Sequence, residues 1–279
     1  GLDAVVVDLQ DAGVRFYTYL TSMAYVMEEC AKGKVGVVVL DRPNPIGGEL
    51  VEGPPADPDR LSFVAVHTIP VRTGMTIGET ARMLNEERKI EATLTVVALR
   101  GWKRSLWYDE TGLPWVNPSP NLRSVTQAAL YPGVALLETT NVSVGRGTDA
   151  PFEHFGAPWI DAERLARTLG VRNIPGVRFT PVQFTPSSSR YAGEVCRGVR
   201  VTVTDRSALR SVTLGVEIAT ALRDLHPSDW KRERFGELLG SAAAVARLER
   251  GDPASQVVSG WAAGQMEFER RRARFLMYD

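Results

Sequence analysis

The sequence predicts an α/β fold: a parallel sheet with helices packed on it, followed by a smaller α+β domain. Three observations carry that reading. Short valine-rich apolar runs, AVVVDL at 4–9, VGVVVL at 35–40 and ATLTVVAL at 92–99, have the length and composition of strands in a buried parallel sheet. Stretches with helical spacing of apolar residues separate them, so strand and helix alternate as in a repeated strand–helix–strand unit. Beyond about residue 158 the alternation stops and strand-like segments and amphipathic helices take over, which sets the expected domains at 1–157 and 158–279.

The elements follow from local chemistry. The run 4–9 is apolar without alternation, as a strand covered on both faces should be. From 18 to 32, Met23, Val26, Met27 and Cys30 recur at helical spacing, and Gly33 supplies a stop. Residues 41–61 are rich in proline and glycine and read as loop, while FVAVHTIP at 63–70 reads as a further strand or an extended segment. Thr76 with Glu79 three residues on is a capping-box signature that opens a helix over 76–89. Leu136 and Leu137 close an apolar run read as another buried strand, with Glu138 at its mouth. In the second domain, VRFTPVQFTP and GVRVTVTD read as strands. Helices are expected over 207–226, ending before Pro227, in shorter pieces over 232–250, and over 255–275. The chain opens on GLDAVVVDLQD and is inside a strand by residue 4, so we expect it to be the C-terminal part of a longer polypeptide.

Composition removes several classes of function. The 279 residues carry 33 basic and 33 acidic side chains, so no general electrostatic case exists for nucleic acid or an anionic membrane surface. No apolar run approaches the ~20 residues of a membrane-spanning helix. Cys30 and Cys196 cannot make a disulfide framework. Gly145 and Gly147 lack the third glycine and following helix of a dinucleotide fingerprint, and no phosphate loop or serine-hydrolase elbow occurs. His67, His154 and His226 have no metal-ligand spacing. Neither cofactor nor metal is expected.

What remains is a set of carboxylates, amides, hydroxyls, arginines and aromatics in loops that follow predicted strands, where the active loops of parallel sheets gather. DLQDAG, LDRPNPIGG and LETTNVSVGRG all fall there and are expected to meet around one cleft. Asp8 and Asp11 straddle the end of the first strand. Arg15 either neutralises one of them or joins them in charged hydrogen bonds to a polar ligand. Phe16, Tyr17 and Tyr19 are core side chains or stacking faces for a sugar ring. Pro43 and Pro45 stiffen the loop that presents Asp41, Arg42 and Asn44, as turn caps or as ligand groups. NPSPN at 117–121 does the same for Ser119 and Asn121. The densest stretch is LLETTNVSVGRGTDAPFEHFG, where Glu138, Asn141, Ser143, Arg146, Thr148 and Asp149 crowd a loop loosened by Gly145 and Gly147. Arg146 there either pairs with Asp149 or Glu153 in a self-bonded turn or faces a ligand.

Taken in order, DLQDAGVRFYTY, VVLDRPNPIGG, VEGPP, GMTIGE, PSPN, TNVSVGRGT followed by PFE, and GAPW resemble the motifs of the NamZ-type exo-β-N-acetylmuramidases. FTPVQFTP, CRGVRVTVTDR and RFLMYD continue the resemblance over essentially the whole chain. This bacterial family was once catalogued as a domain of unknown function. The resemblance implies a Rossmann-like domain holding the active site, a C-terminal auxiliary domain and no cofactor. It also implies release of terminal N-acetylmuramic acid from the non-reducing end of peptidoglycan fragments, in the cell envelope or outside the cell. Family members carry a further segment ahead of the DLQDAG-like strand, with a Pro-Glu-His-Gly-like motif whose Glu leads the candidates for catalysis. The family loop commonly reads Ser-Glu-Gly-Arg-Gly-Thr where this chain has Val144, and a His commonly stands at Thr73.

Glycoside hydrolysis needs one carboxyl group to protonate the leaving oxygen and a second as nucleophile or base. Glu138 is the expected catalytic carboxylate, with Asp8 and Asp11 in reserve. Arg146 is a fitting partner for the lactyl carboxylate of muramic acid. Arg15, Tyr17, Asp41, Arg42, Asn44, Ser119, Asn121, Asn141, Ser143 and Thr148 are the expected binding groups. A non-catalytic binder of wall fragments and a hydrolase of another acidic or amino sugar are the competing readings.

Overall fold

Three strands, β1 (Ala4–Val7), β2 (Gly36–Leu40) and β3 (Leu94–Val97), pair in parallel in the order β1-β2-β3, with Ala4 opposite Gly36 and Val37 opposite Leu94. They belong to a computed structural model that describes all 279 residues. Helices α1 (Tyr19–Gly33) and α2 (Ile77–Glu87) connect them. Val7, Val37 and Val39 turn onto Met23, Met27, Ile77 and Leu84 in one buried cluster. Both helices therefore cover the same sheet face. On the other face Val6 is 59% and Val97 49% exposed, so the apolar runs are buried on one side and not on two. Helix α2 opens with the predicted capping box: Glu79 N–H donates to Thr76 Oγ1 at 3.2 Å, and Thr76 N–H to Glu79 Oε2 at 3.0 Å. Residues 63–70 form no strand: Phe63 and Val64 make the turn of an isolated bridge between Ser62 and Ala65, and bends follow.

The next elements are α3 (Val125–Val134), β4 (His154–Ala157), α4 (Ala162–Gly170), β5 (Val177–Phe184) and β6 (Cys196–Val203). They are followed by α5 (Ser211–Leu225), α6 (Gly236–Leu239), α7 (Ala242–Glu249) and α8 (Ala254–Ser259). Strands β4, β6 and β5 form an antiparallel sheet in that order, with Val177 opposite Val203 and Phe184 opposite Cys196. Leu136 and Leu137 are not on a strand. They lie in a 3-10 turn (Ala135–Thr139) that prolongs α3, and the run is apolar because this helix is buried from Gln127 to Val134. Helix α3 meets α5 backbone to backbone: a Cβ on Gly133 would lie 1.8 Å from Ser211 O, and one on Gly215 2.5 Å from Gly133 O.

The last helix, α9 (Ala262–Arg272), is separate from α8, so the single helix expected over 255–275 is two, broken at Gly260. From Ala263 the chain rejoins the first sheet. The two compact units are Gly1–Pro118 with Ala263–Asp279, and Ser119–Ala262. The expected boundary at 157/158 falls inside the second unit, because β4, just before it, is paired to β6. The returning tail is firmly held. Phe268 and Phe275 enter the first core, Met277 N–H donates to Glu79 Oε1 at 2.7 Å, and Tyr278 OH donates to Asp41 Oδ2 at 2.5 Å. Glu79 also pairs with Arg104, so the capping acid anchors the tail as well.

Candidate active site

In the second unit the polar loop begins on a helical turn. Glu138 lies in the 3-10 turn after α3, where its carboxylate accepts from Arg146 Nε. This is a third outcome for Arg146, whose ion-pair partner here is Glu138. Its guanidinium also lies over the ring of Phe152, 5.3 Å from the centroid. Ser143 and Gly156 exchange backbone hydrogen bonds at 2.8 Å, which fixes the loop beside β4. Gly147 has φ +81°, and a Cβ there would lie 2.6 Å from Ser188 N; Ser187 donates to Gly147 O from its N–H and its hydroxyl, both at 2.8 Å. Only glycine lets the two loops close on each other this way.

Thr148 is an internal strut. Its hydroxyl donates to Gly145 O at 2.7 Å and lies 3.0 Å from His154 Nε2. With that proton committed, His154 serves as the donor, which assigns the Nε2–H tautomer. Burial, then Arg200, pushes the pKa of this histidine down to about 4, so the ring is neutral near pH 7. Two polar cavities border this frame. One of about 600 Å³ is lined by Glu138, Val142, Ser143, Val144, Arg146, Ser189, Arg190 and Tyr191. The other, of about 560 Å³, includes Asn121, Arg123, Thr148, Asp149, Ser187 and Ser188.

In the first unit, Arg42 Nε and Nη2 both reach Asp8 Oδ1 at 2.6 Å, half exposed, at a cavity of about 280 Å³ shared with Gln10, Tyr19, Tyr108, Asn117 and Pro118. Tyr17 and Tyr19 both donate to Pro118 O, at 2.8 and 3.1 Å. Gln10 donates to Pro43 O at 3.0 Å, and its Oε1 is buried without a partner. Asp11 is 6% exposed. Its Oδ2 accepts from Gly13 N–H at 2.7 Å, while its Oδ1 has no partner. Burial pushes its carboxyl up to about 7, against the backbone N–H groups of Gly13 and Ala12.

Other expected binding groups are committed inside the fold. Arg15 is fully buried and donates to Pro54 O and Ile69 O at 3.0 and 2.9 Å; burial lowers its pKa to about 9. Asp41 accepts from Arg42 N–H and Gly78 N–H on one oxygen, and from Thr76 and Tyr278 hydroxyls on the other. Asn44 donates to Met75 O and accepts from Ile46 N–H. Ser119 Oγ accepts from Asn121 N–H at 3.2 Å. Asn141 donates to Asp229 O at 2.8 Å and accepts from Lys231 N–H at 2.7 Å, which ties down the segment after α5. Cavity residues that sequence reasoning missed include Ser189, Arg190, Tyr191, Tyr108 and Asn117. The last sits inside the NPSPN motif, beside the two positions chosen there.

With this geometry in place, family matches assign both parts of the chain. Residues 1–126 match the N-terminal domain, and residues 129–278 the C-terminal domain, of the exo-β-N-acetylmuramidase NamZ. The chain belongs to the NamZ family. It is 40% identical to the peptidoglycan β-N-acetylmuramidase NamZ of Bacillus subtilis (strain 168), over 99% of this chain and 68% of that protein. A DUF1343 family protein of Bacteroides fragilis NCTC 9343 has the same fold, with a TM-score of 0.92 and 33% identity over 99% of this chain and 75% of its own. A second from that organism gives 0.81 and 31%, over 99% and 76%. Asp8, Asp11 and Arg42 fall in the NamZ N-terminal domain, and Glu138, Arg146 and Arg190 in the C-terminal one.

Proposed function

We propose that this protein is an exo-acting glycosidase that releases N-acetylmuramic acid from the non-reducing end of peptidoglycan fragments, working in the cell envelope or outside the cell. One observation carries the proposal: 40% identity across 99% of the chain to a peptidoglycan β-N-acetylmuramidase. The chemistry of the cavities is in keeping with it. One carboxyl group must pass its proton to the glycosidic oxygen as the C1–O bond breaks, and a carboxylate must attack C1 or take a proton from the water that does. We assign Glu138 to this chemistry. Its bond to Arg146 holds the carboxylate in one orientation at the cavity wall before substrate arrives. Ser143, in the cavity of Glu138, and Asn121, in the second cavity, are the hydroxyl and amide groups we place nearest the sugar, and Asp8 and Asp11 are the reserve carboxyls.

The test is release of 4-nitrophenol from 4-nitrophenyl N-acetyl-β-muramide. Turnover is expected, with Glu138→Gln lowering kcat roughly a hundredfold or more while a muramyl disaccharide still binds. Binding of the disaccharide without turnover by the wild type would replace the hydrolase with a wall-fragment binding protein. Faster cleavage of a different glycoside would replace the substrate.

A further inference from the structure

The cavity beside Glu138 holds two guanidinium groups in different states. Arg146 is committed to Glu138 and lies over Phe152. Arg190 makes no hydrogen bond or ion pair with any other residue and lines the same cavity, exposed to solvent. Its neighbours Ser189 and Tyr191 have φ of 69° and 62°, a left-handed region that strains non-glycine residues. That backbone is held from several directions. Ser187 is bonded to Gly147, Gly193 N–H donates to Pro186 O at 2.8 Å, and Tyr191 OH donates to Asn141 O at 2.8 Å. An arginine serving only solubility needs no such frame. Val142 and Val144 give the same cavity an apolar side.

We propose that Arg190 is the specificity-determining residue of this cavity, binding the carboxylate of the lactyl ether of N-acetylmuramic acid while Val142 and Val144 receive its methyl group. The proposal rests on the muramidase reading. N-acetylmuramic acid differs from N-acetylglucosamine by an ether at O3 that carries one carboxylate and one methyl. A cation beside two valines matches both additions. A charge-assisted bond of this kind, absent with the glucosamine sugar, discriminates between the two.

The experiment compares wild type, Arg190→Ala and Arg190→Lys on 4-nitrophenyl glycosides of N-acetylmuramic acid and N-acetylglucosamine, with calorimetric binding of the two free sugars alongside. Arg190→Ala should lower kcat/KM on the muramide roughly tenfold to a hundredfold, chiefly through KM, and shrink the muramide-to-glucosaminide ratio by the same factor. Arg190→Lys should recover part of that ratio. Equal losses on both glycosides, or an unchanged ratio, would overturn the assignment. Should the wild type turn over neither glycoside, the glycosidase reading fails by itself and calorimetry decides Arg190. A preference for N-acetylmuramic acid that Arg190→Ala abolishes supports the role, and its absence in the wild type refutes it.

Discussion

Replacing Asp11 by Asn should remove a pH dependence of stability that this one side chain builds into the first unit. The carboxyl is 6% exposed, one oxygen accepts from Gly13 N–H at 2.7 Å, and the other has no partner. Burial raises its pKa from 3.8 to about 7. A pKa raised on folding means that the folded chain holds the proton more tightly than the unfolded one. The stabilisation is complete below about pH 4 and is lost as pH rises through about 7. At about 1.36 kcal/mol per pH unit, the interval between those values sets a ceiling of about 4 kcal/mol. Asparagine has the same shape, keeps an oxygen for Gly13 and never ionises. Urea denaturation of both proteins should therefore give similar stabilities near about pH 3.5 and diverge above it, and near about pH 8 the variant should be more stable by roughly 2–4 kcal/mol, with equal m-values. His67, His154 and His226 titrate in both proteins, so the difference isolates Asp11. A difference that stays within about 0.5 kcal/mol across this range would refute the reasoning.

Three further outcomes follow from individual contacts in the fold. Gly215→Ala places a methyl 2.5 Å from Gly133 O, so α3 and α5 must part; a loss of roughly 3 kcal/mol, or a Tm lower by about 6–12 °C, is expected by calorimetry. Tyr278→Phe keeps the ring against Trp102 at 5.1 Å but removes the 2.5 Å bond to Asp41 and the acceptor of Leu99 N–H at 3.0 Å. A cost of about 2–3 kcal/mol is expected, with faster hydrogen exchange at the Leu99 amide; an unchanged exchange rate would contradict it. The NMR signal of the His154 ring should titrate near 4, and the neutral ring should favour folding less and less as pH falls from 6.5 toward that value. A midpoint near 6.5 would mean that the ring is not desolvated as described.

Where a residue type has one plausible use, the sequence revealed it. The three valine-rich strands of the first sheet, the capping box at Thr76 and Glu79, and the helix over 207–226 all rest on periodicity or on local hydrogen bonding, and all have counterparts in the fold. Errors arose where one pattern serves two structures. The run through Leu136 and Leu137 is as apolar as a buried strand because a helix buried all round has no polar face to betray its period. The one-sided burial of β1 was equally invisible, since Val6, 59% exposed, is the same residue type as Val7, 6% exposed. The return of residues 263–279 to the first sheet is a long-range contact that no local signal announces.

The candidate site divides along the same line. Polar loop residues looked alike in sequence, yet Asp41, Asn44, Asn141 and Arg15 spend their donors and acceptors inside the fold, whereas Arg190 stands uncommitted at a cavity wall. What separates them is saturation. Asp41 already accepts four hydrogen bonds, so a sugar hydroxyl approaching it would have to displace the tail residue Tyr278 or the cap residue Thr76. Arg190 was passed over because it stands among serines, in a stretch that reads as an ordinary turn. Its significance comes from the left-handed backbone of Ser189 and Tyr191, which neither residue type advertises, whereas the left-handed Gly147 was visible as a glycine. Strain that glycine would have relieved is kept at these two positions, and it is kept beside the cavity's one uncommitted cation. For that reason the ratio of muramide to glucosaminide turnover in Arg190→Ala is more informative than the loss of activity expected from Glu138→Gln. The first measures what the cavity selects, and the second shows only that a carboxylate there is required.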